Sequence, residues 1–194
     1  MEKIMAKVLE NLHRTLAVGL GLAVVLGLLL HAGMIADHGY WSFVFRWIHV
    51  WFGILWIGLL YYFNFVQMPS MPKIPDEQKP AISKVIAPTA LYYFRWAAAG
   101  TVLLGLLTAM MNGYIVEALT LQMPTIGIGM WLALIMAFNV WFIIWPNQRR
   151  ALGLVEADAD SKKKSARLAM LTSRVNTMLS IPMLYCMVAQ QNLG

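Results

Sequence analysis

Five apolar stretches, each long enough to cross a bilayer as a helix, occupy most of the chain and leave it few ways to fold. They lie at about 15–36, 42–66, 91–112, 125–146 and 168–190. None alternates with a period of two, which sets aside a β-barrel. The chain is 60% hydrophobic and only 12% charged, against about 25% for a soluble domain, so a separate aqueous domain is not expected. The predicted fold class is all-α: a polytopic integral membrane protein, one transmembrane bundle of five helices over residues 1–194.

Basic residues concentrate in cytoplasmic loops, and here they alternate from one connection to the next. Lys3, Lys7 and Arg14 precede the first span, and the hairpin at 37–41 has none. Lys73, Lys79 and Lys84 fill the second connection, and 113–124 has none. Arg149, Arg150, Lys162, Lys163, Lys164 and Arg167 crowd the fourth, and the tail after 190 again lacks them. The N-terminus is therefore expected in the cytoplasm and the C-terminus in the periplasm. Topology accounts for the net charge of +6, with anionic membrane lipid as the partner and no call for nucleic acid.

The first span is too long for the apolar core of a cleaved signal and no A-x-A site follows it. A single cysteine, Cys186, excludes an internal disulfide, and no C-x-x-C-H is present for covalent haem attachment. Five prolines between residues 67 and 90 predict extended or turned chain there. Residues 151–167 read as a solvated loop or as a helical extension of the last span.

An ionisable ring inside hydrocarbon is expensive and usually has a partner, metals and haem iron among them. His31 lies six residues before Asp37 and His49 eight after Trp41, roughly 9 and 12 Å below the same membrane boundary at 1.5 Å per residue. Each has a glycine four residues toward the midplane, Gly27 and Gly53, on the same helix face. An imidazole beside an empty space suits a b-type haem, so His49 and His31 are the candidate metal ligands, with Gly53 and Gly27 as candidate cofactor contacts. Arg46, one turn outward of His49, either pairs with a haem propionate or reaches to headgroups. The alternative for both histidines is a ring hydrogen-bonded to a neighbouring Ser, Thr or carbonyl. Two imidazoles on one iron would also need helices splayed wider than the usual 8–10 Å.

Asn139, Asn176, Thr177 and Ser180 read mainly as hydrogen-bonding glue between helices. Arg95 and Arg174 begin spans three and five, where lipid phosphate is the expected partner. Met68 and Met71 offer soft donors for copper only weakly.

The stretch from His49 through Gly53, Trp56 and Gly58 to Tyr61-Tyr62-Phe63-Asn64-Phe65-Val66-Gln67 resembles the membrane (N-terminal) domain of the cytochrome-c-linked bacterial urate oxidases. Phe94-Arg95-Trp96, the block from Asn139 to Gln148, and the block from Ser173 to Met183 are similar to the same family. The resemblance implies a protein of the bacterial inner (cytoplasmic) membrane that carries haem b and passes electrons to or from cytochrome c, quinol or a terminal oxidase. It implies a short, stand-alone relative lacking the cytochrome c domain. Val175 and the Ala189-Gln190-Gln191-Asn192 ending stand where the family pattern has histidines, which puts the urate chemistry in doubt. The competing expectation is an accessory or structural subunit of a larger respiratory complex, without a cofactor of its own.

Overall fold

In the computed structural model, which describes residues 2–193, every regular element is helical. The helices are α1 (Glu2–Leu9), α2 (Leu12–Met34), α3 (His38–Lys73), α4 (Lys79–Met111), α5 (Ile115–Leu119), α6 (Pro124–Ala151) and α7 (Ala159–Asn192). Among the described residues, four of them, α2, α3, α4 and α6, are long and apolar enough to cross a membrane. The chain divides between Phe43 and Val44 into two compact units.

In the first unit, Asn11 caps α2 by accepting from the Arg14 backbone N–H at 3.1 Å. No residue of its main stretch, Leu12–His31, is buried. A helix apolar all round belongs in a nonpolar surrounding, and lipid supplies one.

The second unit has a true core. Trp56, Leu60 and Phe63 of α3 pack with Leu91, Phe94, Ala97 and Ala98 of α4, Met136, Val140 and Ile144 of α6, and Met183 of α7. Small residues let α3 and α4 approach closely: a Cβ at Gly100 would stand 2.5 Å from the Phe52 ring.

Helix α7 falls short of the other four in apolarity because one face is polar, and that face is turned inward. Ser173, Asn176 and Ser180 are buried, at helical spacings that place them on one side. The Asn176 Nδ2 amide donates to the Met136 carbonyl at 2.9 Å, and Asn139 donates to Asn176 Oδ1 at 2.8 Å. Asn64 Nδ2 reaches Ser173 Oγ at 2.8 Å and the Leu60 carbonyl at 2.9 Å. The Tyr61 hydroxyl and Ser180 Oγ are 2.9 Å apart. Glue between helices is the role these groups have.

Of the extended or turned chain expected from the prolines, only a turn over residues 74–78 is found. Helix α3 runs on to Lys73 and α4 starts at Lys79, leaving only five residues between them. Two wide, π-helical turns explain the difference, Tyr62–Gln67 and Ile82–Ile86, and α6 has a third at Asn139–Ile144. Each ends two residues before a proline, namely Pro69, Pro88 and Pro146. A proline ring collides with the carbonyl four residues back in an α-helix. Those carbonyls belong to Phe65, Lys84 and Phe142, and each lies inside one of the widened turns. Widening relieves the collision, so the helix continues. At residues 151–167 the structure shows a short link and then helix: Asp158 caps α7 through Oδ1 to the Ser161 N–H at 2.8 Å, so the helical extension begins at Ala159.

Candidate functional site

Thr101 and Gly105, one turn apart on α4, create the setting for His49 on α3. The Thr101 hydroxyl is occupied by the Ala97 carbonyl at 2.7 Å, while the Thr101 carbonyl lies 2.8 Å from His49 Nδ1. A carbonyl only accepts, so Nδ1 carries the proton and Nε2 keeps its lone pair. Among the described residues, Nε2 has no hydrogen-bond partner. The ring lies flush against Gly105, where a Cβ would come within 2.9 Å of Cε1 and 3.1 Å of Nδ1. A side chain at 105 would therefore push the imidazole off the carbonyl that fixes its tautomer.

His49 borders a cavity of about 140 Å³. Its wall combines Arg46, Thr101, Thr108, Tyr114, Gln190 and Gln191 with apolar Val50, Leu106, Ile126, Met130 and Met187. Local structure brings Tyr114 here. Gly113 ends α4 with φ +74°, and the Tyr114 N–H returns to the Ala109 carbonyl while the Gly113 N–H bonds Met110, both at 3.1 Å. This is the two-bond glycine helix stop. Burial pushes the Tyr114 phenol pKa up, and the nearby Arg46 charge partly offsets the shift.

The residues expected from sequence are distributed unevenly. His49 and Arg46 line the cavity together. Gly53 does not; it faces the Thr101 methyl at ordinary contact distance, 3.8 Å for an added Cβ. His31 and Gly27 belong to the first unit, where His31 is exposed with its ring 6.5 Å from that of Tyr40. The space beside Gly27 is taken by the Tyr40 hydroxyl, 3.0 Å from where a Cβ would stand. Asn139 and Asn176 lie outside the cavity lining, bonded to each other. Sequence reasoning missed Thr101, Gly105 and Tyr114. The small-residue pair Thr101–Gly105, four apart on an apolar helix, was the available signal for close approach by a neighbour.

A metal-ligating histidine typically holds its second ring N–H on a carbonyl or carboxylate, fixing the tautomer. His49 has that arrangement, so its donor chemistry fits an axial ligand. No group of three or more His, Cys, Asp or Glu that could hold a metal ion occurs among the described residues, and His49 is the one residue of those four types in the cavity lining. A cavity of about 140 Å³ is close to the ~150 Å³ hole that takes a benzene-sized guest, and is small for a porphyrin.

Residues 97–192 match the family model described as urate oxidase N-terminal. The match contains Thr101, Gly105, Tyr114 and the two glutamines, whereas Arg46 and His49 lie before it. No curated protein and no solved structure matches the chain.

Proposed function

We propose, from the premise that this chain belongs to the urate oxidase N-terminal family through its residues 97–192, that it is a membrane-embedded b-haem redox protein working at His49. Electrons would pass to or from cytochrome c, quinol or a terminal oxidase in the bacterial inner membrane. We place α7 across the membrane as a fifth span, with the N-terminus cytoplasmic. Its inward polar face supports that reading, because buried Ser173, Asn176 and Ser180 depress its mean apolarity without exposing polar groups to lipid. The alternation of basic connections supports the orientation.

The observation that carries the haem reading is the ring of His49, with Nδ1 fixed on a backbone carbonyl and Nε2 unpaired. A haem bound there would supply one-electron chemistry. The protein's own contributions are separate: the Thr101 carbonyl sets the tautomer, Gly105 gives the ring room, and Arg46 offers a cation to an acidic substituent. Purified protein should show a Soret band and a reduced-minus-oxidised difference spectrum, and His49→Ala should remove both. Colourless wild-type protein with its normal helix content would sink the haem assignment.

Cavity volume favours a second reading. About 140 Å³ suits a planar molecule of one or two rings, and the wall supplies a cation, a ring nitrogen acceptor and two amides. Urate, the substrate in the family's name, has that size and chemistry. Calorimetric titration of colourless protein with urate separates the two occupants: binding lost in both His49→Ala and Arg46→Gln supports the small ligand, and no heat of binding counts against it.

A further inference from the structure

We propose that Arg95 and Arg149 hold the phosphate of an anionic phospholipid against the indole of Trp145, at a site separate from the His49 cavity. The Arg95 guanidinium stands 3.9 Å from the Trp145 ring centroid and 5.3 Å from that of Trp141. Arg149 approaches the same Trp145 ring at 5.8 Å. Two cations thus share one indole. A ring face attracts a cation but does not neutralise it, and the pair repel each other.

No carboxylate among the described residues balances them. Among the described residues the sole ion pair joins Lys79 to Asp76, and neither guanidinium has a carboxylate partner. The Arg95 Nε is buried without a hydrogen-bond partner. An unpaired buried donor on a charged group is costly, and an acceptor from outside the chain can reach this charge only through the terminal guanidinium nitrogens, which are not enclosed. A planar guanidinium already oriented by stacking presents its remaining N–H groups as a fork, the geometry that phosphate oxygens accept.

Depth selects a lipid as the source. Arg95 precedes the end of α4 at Met111 by sixteen residues, about 24 Å along a helix. Trp145 follows Pro124, the start of α6, by twenty-one residues, about 32 Å. Against a hydrocarbon core about 30 Å thick, Trp145 reaches the far boundary and the Arg95 backbone stops about 6 Å short of it, a distance that an arginine side chain spans to reach headgroup phosphates. Trp96 and Tyr92, both exposed beside it, give acyl chains an apolar wall. Two uncompensated positive charges favour a net anionic headgroup over a zwitterionic one, whose own cation would be brought beside Arg149.

The test is native mass spectrometry of the full chain in detergent, titrated with phosphatidylglycerol, with phosphatidylcholine, and with soluble glycerol phosphate. Wild-type protein should retain phosphatidylglycerol over phosphatidylcholine and ignore the soluble phosphate. Each of Arg95→Gln and Arg149→Gln should weaken retention about fivefold, the factor equivalent to the ~1 kcal/mol of one basic side chain at an anionic surface. Lys163→Gln, which removes the same formal charge from an exposed position on α7, should leave retention unchanged. Should Arg95→Gln not fold, exposed Arg149 decides alone. Equal retention of the two lipids, equal retention by wild type and Arg149→Gln, or displacement by glycerol phosphate would each overturn the proposal.

Discussion

Two sets of polar groups share the interior of the second unit, and they are treated in opposite ways. Around Asn139, Asn176, Asn64 and Ser173, the amides and hydroxyls are spent on one another and on the carbonyls of Leu60 and Met136. Around His49, one ring nitrogen is fixed and the other is left open beside a cavity. In hydrocarbon an unpaired polar group costs several kcal/mol or less depending on how it relaxes. The first set pairs the side-chain nitrogen of each asparagine and leaves only Asn64 Oδ1 buried without a partner, so it reads as structure, whereas His49 keeps a ring nitrogen unpaired on a cavity wall. The same residue types on the same helices serve both ends, and only the pairing tells them apart.

His49→Ala is the sharpest way to break this contrast. It should abolish the pigment or the ligand binding outright and leave melting within a few degrees of wild type, read by visible spectroscopy and thermal denaturation on one sample. Asn176→Leu should do the reverse. Asn176 is 0% exposed, and its loss strands the Asn139 amide and takes one of its donors from the Met136 carbonyl, costing about 1–3 kcal/mol while the His49 signal survives in the folded fraction. Equal loss of signal and stability in both variants would erase the distinction. Gly105→Ala should fall between them: the ring must move off Thr101, weakening the ligand signal severalfold with a smaller change in melting. An unchanged signal in that variant would show that the Thr101 contact does not set the imidazole.

The smallest expected effect lies outside both regions, at the start of α7. The Ser161 hydroxyl, and then its backbone N–H, hold the Asp158 carboxyl below the ordinary carboxylate pKa. A lowered folded-state pKa adds stability above the ordinary value, and that contribution fades as pH falls through the lowered one. Asp158→Asn keeps a capping oxygen and removes the titration. Wild type should lose a slight melting advantage over it on acidification, and parallel pH curves would exclude the linkage.

Much of the fold was legible because length and apolarity alone dictate membrane helices: α2, α3, α4 and α6 each cover all or nearly all of one apolar stretch. Helix ends were less legible. Apolarity stops near residue 66 in α3, but the helix continues to Lys73 because the wide turn at Tyr62–Gln67 accommodates Pro69, and no composition rule announces such a turn. His49 and Arg46 were legible as costly side chains in an apolar run. Their true neighbours were not, since Thr101 and Gly105 come from a helix about fifty residues away, and the glycine that matters lies across from the ring, not beneath it. Gly53, the choice from local spacing, faces α4 at ordinary packing distance.

The wide turns before Pro69, Pro88 and Pro146 have an effect beyond sparing a collision. Each takes up one extra residue per loop of the ladder, so side chains past it are rotated by about 100°, one residue's share of a 3.6-residue turn. Helical wheels drawn straight through α3 or α6 consequently assign the wrong face to everything downstream. Deleting a single residue from Asn139–Ile144 would restore even winding, yet it would swing Trp145 and Arg149 away from Arg95 and leave Pro146 in conflict with the turn before it.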